Sequence, residues 1–274
     1  MTQIICLANS WKHGERCIAG IDLMTGNWIR PVSDLSDGRV PWFVRMVDGQ
    51  EPQLLDILDI PLADTASSHW DFARENHSIL PGEWRRVGRL QVTDLLPYCD
   101  YRNSILHNPD RCVTVPYLRA LPPGDRQTLQ LVYAKELSVQ GIFKLSGRRK
   151  WQATLNGASG HSLVNVTITD PVFVERLETG YRPQHPCLVT VSLSLPFRPA
   201  QECEQDEACW KLIAGVIELS EADLVLVEMQ RLGWTIQQGR DYLQQVYGKR
   251  SRQQLTPTEL TDFLQHLQSR SLIS

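Results

Sequence analysis

The sequence lacks the marks of several protein classes. No apolar run in its 274 residues approaches the roughly 20 needed to cross a bilayer. The opening MTQIICLANS has neither the basic start nor the long apolar core of a secretory leader. A cytoplasmic protein without a membrane partner is therefore expected. The seven cysteines are odd in number, irregularly spaced and contain no C-x-x-C, which argues against a disulfide framework and for a reducing compartment. Cys203 and Cys209 form the one close pair, inside an acidic stretch, and structural zinc would need two further ligands. Neither a metal nor a cofactor is expected. Gly157 and Gly160 are followed by neither a helix nor Lys-Ser/Thr, so they make no phosphate loop. With no complete catalytic signature anywhere, a binding protein is expected before an enzyme. Charge excess is missing too: 28 Lys+Arg against 31 Asp+Glu leave a net charge of -3, so any footprint for nucleic acid has to be local.

What the chain does have is short β-rich segments. Ile4 to Ala8, Arg16 to Leu23 and Asn27 to Val32 are separated by polar or glycine-containing connectors, and Met24-Thr25-Gly26-Asn27 is a good hairpin connector because Gly26 accepts positive φ. Leu54 to Leu62, with Pro61 near its end, reads as a strand at a sheet edge. Residues 65–125 carry six prolines, from Pro81 to Pro123, and read as irregular connecting structure. Strand patterning returns at Leu129–Tyr133, Lys150–Leu155, Leu163–Thr169, Cys187–Leu195 and Leu212–Leu219, a spacing typical of a barrel or sandwich. Ile-Ala-Gly occurs at 18–20 and again at 213–215, a repeat short enough for chance.

Composition changes at Ser220, which can cap a helix with Glu221 and Asp223 in its first turn. Gly233 stops that helix, Thr235 starts a second that ends at Gly248, and Thr256-Pro257-Thr258-Glu259 is a capping box opening a third. Leu260, Phe263, Leu264 and Leu267 make one apolar stripe on the last helix.

Several strings carry a resemblance. Ile5-Cys6-Leu7-Ala8-Asn9-Ser10-Trp11-Lys12-His13-Gly14, Arg16-Cys17-Ile18-Ala19-Gly20 and Trp28-Ile29-Arg30-Pro31-Val32-Ser33 resemble the dual OB-containing domain family. So do His69 followed by Glu75-Asn76, Thr169-Asp170-Pro171, and Trp210 to Ile217, extending the resemblance over about residues 3–218. It implies a mainly β protein with two OB-like barrels and a nucleic-acid or nucleotide ligand. The expected layout is a dual β region over 1–218 (first barrel about 1–95, connector about 96–126, second barrel about 127–218), then a three-helix module over 220–272. Leu232-Gly233-Trp234, Tyr242-Leu243, Val246-Tyr247-Gly248-Lys249 and Leu255 to Leu260 resemble the C-terminal helical module of some single-strand-annealing recombination proteins.

Two clusters are candidate sites. From Arg119 to Trp151, seven basic residues face only Asp125 and Glu136, and the centre is Arg148-Arg149-Lys150-Trp151. Cations beside an aromatic ring are what a single-stranded nucleic-acid groove uses, since cations track phosphates and rings stack bases; a solvated hairpin tip is the alternative. The second cluster has Lys12, His13 and Arg16 in the first connector and Trp28 and Arg30 on a neighbouring strand, with Asn9 and Ser10 as further donors. Its alternative is a structural loop with Trp11 and Trp28 in the core. His69, Glu75, Asn76 and His77 read as a hydrogen-bonded loop, and Asp170 as a strand terminator.

Three functions fit: a non-enzymatic binder of nucleic acid, preferably single-stranded DNA or another single strand, with the helical tail for protein contacts; a protein–protein adaptor in a larger assembly, using residues 221–274; or a sensor of a small anionic nucleotide at the Lys12 to Arg30 end.

Overall fold

A computed structural model describes residues 1–66, 71–100, 104–143, 147, 149–157, 160, 162–198 and 207–270. In chain order the strands are β1 (Thr2–Lys12), β2 (Glu15–Asp22), β3 (Trp28–Val32), β4 (Asp56–Ile60), β5 (Leu62–Ala66), β6 (Asn76–Ile79), β7 (Arg85–Arg89), β8 (Cys112–Thr114), β9 (Leu129–Phe143), β10 (Arg149–Gly157), β11 (Ser162–Ile168), β12 (Cys187–Phe197) and β13 (Ala208–Glu218). The helices are α1 (Trp42–Arg45), α2 (Val115–Ala120), α3 (Pro171–Glu178), α4 (Glu221–Arg231), α5 (Ile236–Tyr247) and α6 (Pro257–Ser269). The chain packs as two compact units, one of residues 1–91 and 98–217, the other of 92–97 and 218–274.

The first unit holds both sheets. One is a seven-stranded half-barrel in the order β5-β6-β3-β2-β1-β4-β7. The other runs β11-β10-β9-β12-β13, and the parallel pairing of β11 with β13 closes these five strands into a barrel, with β8 added outside β13. The chain is thus mainly β, with two OB-like sheets and helices after them.

Local chemistry explains the turns. His13 (φ 48) and Gly14 (φ 83) occupy the two central positions between the paired Lys12 and Glu15, the positive-φ pattern of a tight hairpin whose twist matches its strands. At the next turn Asp22 accepts from Met24 N and Thr25 Oγ1 while Gly26 takes φ 70.

The two Ile-Ala-Gly copies do the same job. A Cβ on Gly20 would lie 2.1 Å from the Ile5 carbonyl oxygen, and one on Gly215 would lie 2.2 Å from that of Leu7. β2 and β13 therefore both press their backbones against β1, which slips register between Cys6 and Ala8. Only glycine permits this approach. Cores flank the junction: Ile4, Cys6, Ile18, Leu58 and Ile60 pack in the half-barrel, and Leu118, Leu155, Phe173, Val189 and Ile213 are in the barrel's larger core.

Three expectations change. The segment from Leu54 to Leu62 divides at Pro61 into β4, which lies inside the sheet between β1 and β7, and the start of β5, which forms one sheet edge while β7 forms the other. Residues 65–125 are not merely connecting structure, because β6 and β7 join the half-barrel and β8 pairs with β13. Asp170 does more than end a strand. It caps α3 by accepting from Phe173 N at 3.0 Å and also accepts from Val216 N at 3.0 Å.

In the second unit α4, α5 and α6 each begin with a capping box, at Ser220/Asp223, Thr235/Gln238 and Thr256/Glu259. Gly248 ends α5 in the left-handed conformation. Tyr242 stacks on both Phe263 and His266, fastening α5 to α6.

Candidate functional site

Arg30 sits on β3 directly opposite Asn76 of the parallel strand β6. Its side chain is buried, at 8% exposure, and fully engaged. Nη1 donates to Glu75 Oε1 at 2.9 Å and Asn76 Oδ1 at 3.1 Å, and Nη2 donates to Thr128 Oγ1 at 3.1 Å and Ser192 Oγ at 3.3 Å. Thr128 also donates to Glu75. A guanidinium in the half-barrel thus grips the barrel through Thr128, just before β9, and Ser192 on β12. Expected to meet a ligand, Arg30 is a buried tie between the two sheets, because all its charge and most of its donors are already spent.

Arg30, Asn76, Thr128 and Ser192 line one side of a cavity of about 480 Å³. Its other walls include Trp11, Lys12, His13 and Cys17 from the first hairpin, Leu193 to Phe197 from β12, and Leu212 and Ala214 from β13. Trp11 is 51% exposed and Phe197 48% exposed. Each ring has a neighbour: the Arg16 guanidinium lies over Trp11, 3.8 Å from the ring centroid, and Trp210 lies tilted beside Phe197, 5.8 Å away at 30° between planes. Half-open rings beside a cation are the parts with which proteins hold bases.

Lys12 supplies that cation. No hydrogen bond or ion pair holds its ammonium among the described residues, and burial makes it less basic than an ordinary lysine. Asp37, on the same cavity, is occupied by the Arg39 backbone N–H at 3.2 Å and its guanidinium at 3.6 Å. His13 stands exposed at the hairpin tip, 4.0 Å from Asp37. Arg16 stacks on Trp11 and lies 3.8 Å from Glu51, while its buried Nε and Nη1 make no hydrogen bond to any described residue. Asn9 and Ser10 donate to Pro52 O and Cys17 O, so both serve the fold.

Behind this hairpin a second buried cation fixes the frame. Arg45 pairs bidentately with Glu51, at 2.8 and 2.7 Å, and donates to Glu15 and to Val40 O. Burial opposes its charge and raises the Glu51 carboxyl, but their mutual hydrogen bonds win, leaving Arg45 more basic and Glu51 more acidic than usual.

Trp28 lies elsewhere, lining a cleft of about 1010 Å³ with Tyr98, Arg74 and His77; Thr128 borders both spaces. His77 Nδ1 is 2.9 Å from Ala63 O; the hydrogen bonding expected of Glu75, Asn76 and His77 is present, but Asn76 and His77 lie on strand β6 rather than in a loop, and His69 lies outside the described residues.

The Arg119 to Trp151 cluster is dispersed. Arg119 pairs with Asp71, Arg126 donates to three backbone carbonyls, and Arg149 pairs with Glu178 at 3.0 Å. Lys150 is also engaged, and Arg148 lies outside the described residues. Trp151 is 4% exposed and donates to Glu178 at 2.5 Å, because the alternation of β10 turns Trp151, Ala153 and Leu155 inward. Its ring offers no stacking face. Phe143, opposite Arg149 across the hairpin, is the exposed aromatic there, with the Arg149 guanidinium 5.0 Å from its centroid.

Reading the sequence missed Trp11 and Phe197 as site residues. Trp11 carried a signal, since it stands beside Lys12 and His13 at a hairpin end. Phe197 carried none. No group of three or more His, Cys, Asp or Glu side chains able to hold a metal occurs among the described residues. Among them, no helix is long and apolar enough to cross a membrane.

Comparison with known proteins adds one family and one relative. The dual OB-containing domain family matches residues 2–216. An uncharacterised protein of Synechocystis sp. (strain ATCC 27184 / PCC 6803 / Kazusa), slr1353, is 54% identical over 59 residues, which is 21% of this chain and 20% of that protein. The match thus spans about a fifth of that relative's length. No solved structure matches the chain.

Proposed function

Because the chain belongs to the dual OB-containing domain family, we propose that it binds nucleic acid, single strands in preference to duplex, as a binder rather than a catalyst. The observation that carries this is the pair of half-open rings, Trp11 and Phe197, on one cavity with the Lys12 ammonium, which has no hydrogen bond or ion pair among the described residues. Ring faces take bases only when the bases are unstacked, which a duplex prevents and a single strand allows. A net charge of -3 gives no overall attraction to a duplex backbone. His13 at the hairpin tip extends the contact, and Arg149 with Phe143 offers a second, separate foothold.

The test is fluorescence anisotropy with a labelled single strand and the matching duplex. The reading requires tighter binding to the single strand and loss on Trp11→Ala and Lys12→Glu. Equal affinity for both forms, or indifference to both substitutions, contradicts it.

We also propose that the helical unit makes protein contacts, a reading that rests on two exposed apolar side chains of α5, Ile236 at 67% and Val246 at 49%. Full-length protein should retain in solution a partner that Ile236→Glu releases; retention by that variant would contradict the assignment.

A further inference from the structure

Resting on that reading, we propose that the cavity between Trp11 and Phe197 takes one nucleotide unit, a base with its terminal phosphate, rather than the interior of a continuous strand. Size is the first argument. At about 480 Å³ the cavity is roughly half the neighbouring cleft of about 1010 Å³ and falls in the range of about 300–1,000 Å³ that small ligands occupy.

The second argument is the floor. Arg30, Asn76, Thr128 and Ser192 are buried and bonded to one another, so a strand entering the cavity meets a closed polar wall on that side. The third is the rings. Arg16 lies over Trp11 and Trp210 lies tilted beside Phe197, while both rings stay about half exposed, an area that suits a single base.

The phosphate has one candidate partner. Both terminal nitrogens of Arg30 are bonded, Arg16 stacks on Trp11 and does not line the cavity even though its buried Nε and Nη1 make no hydrogen bond to any described residue, and Asp37 is held by Arg39. Lys12 alone among these brings to the cavity a charge unpaired among the described residues, with His13 next to it at the turn. A monoester at a chain end, with nearly two charges, gains more from one partly desolvated ammonium than an internal diester with one. A free nucleotide and a strand end present this same chemistry.

The experiment uses the full-length protein and four probes: a linear 5′-phosphorylated thymidine dodecamer, its dephosphorylated form, the same strand closed into a circle, and adenosine 5′-monophosphate. Affinity is measured by calorimetry. Cys17, which lines the cavity, reports occupancy through its protection from maleimide, read by mass spectrometry. The linear phosphorylated strand should protect Cys17 and bind about tenfold more tightly than its dephosphorylated form, as one charge-assisted contact allows. Lys12→Met should erase that tenfold preference, whereas Phe197→Ala should weaken both forms alike. Protection by the monophosphate as strong as by the strand supports the nucleotide pocket and makes the free nucleotide its source, against the single-strand reading. A circle that binds as tightly as the linear strand and protects Cys17 overturns the inference while leaving single-strand binding intact. Absence of binding by all four probes overturns both.

Discussion

Arg30 Nη1 and Glu75 Oε1 lie 2.9 Å apart with both side chains buried, and this pair anchors the hydrogen bonds that join the half-barrel to the closed barrel. Removing one partner of such a pair strands the other charge. Arg30→Met should therefore cost about 3–5 kcal/mol of stability, read from denaturant unfolding. Arg30→Met with Glu75→Gln should recover part of it. A loss below about 1 kcal/mol for the single variant, the size of an exposed ion pair, would show that the pair is not structural.

Gly215 makes a sharper demand than its place in a strand implies. An added methyl would lie 2.2 Å from the Leu7 carbonyl oxygen, and backbone cannot rotate away as a side chain can. Gly215→Ala should destabilise by roughly 1–3 kcal/mol, the usual cost of overpacking, and Gly20→Ala should do likewise. Gly124→Ala, where nothing lies within 4 Å, serves as the control. Equal melting temperatures for Gly215→Ala and the control would refute the close approach.

Lys211 on β13 is buried, donating to Asn108 O at 2.6 Å and Asn108 Oδ1 at 2.9 Å. Burial lowers its pKa to about 8 from the ordinary 10.5. Between these values the unfolded chain holds a proton that the folded protein has released, so stability contributed by this site rises with pH across that window. Below about 8 both states are protonated and the contribution is flat. The stability of wild type relative to Lys211→Met should therefore increase from pH 8 towards 10.5; a constant difference would contradict it.

Residues 92–97 belong to the helical unit, although they precede most of the barrel in sequence, and Leu95 and Leu96 are buried. A chain ending at residue 217 should expose them and bind a hydrophobic dye that the full chain does not. A truncated protein with unchanged dye binding would show that segment to be independent of the helices.

Much of the fold was legible because its signals are local. Hairpin turns are written in Gly14 and Gly26, and the three late helices in capping boxes that need only four residues each. What was illegible depends on distant partners. β7 reads Arg-Arg-Val-Gly-Arg, a charged edge strand that only its neighbour β4 reveals. Arg30 and Glu75 stand 45 positions apart, so nothing local marks that cation as spent. The two Ile-Ala-Gly copies looked like chance because their shared function is an approach to the same third strand. Trp11 and Trp151, each near an arginine, ended on opposite sides of the surface. The alternation Trp151, Ala153, Leu155 placed the second in the core, whereas Trp11 lies beyond the buried run of β1, at the mouth of a hairpin.

The central claim is that Trp11, Phe197 and Lys12 form the binding face for a single strand. Its most direct measurement is the affinity of a labelled single strand over a series of salt concentrations, for wild type and for Lys12→Met. The account predicts that wild-type affinity falls as salt rises and that Lys12→Met binds more weakly with a slope shallower by about 0.7, the value for one lost contact to a single strand. A wild-type affinity independent of salt, or a Lys12→Met line superimposed on it, would contradict the account.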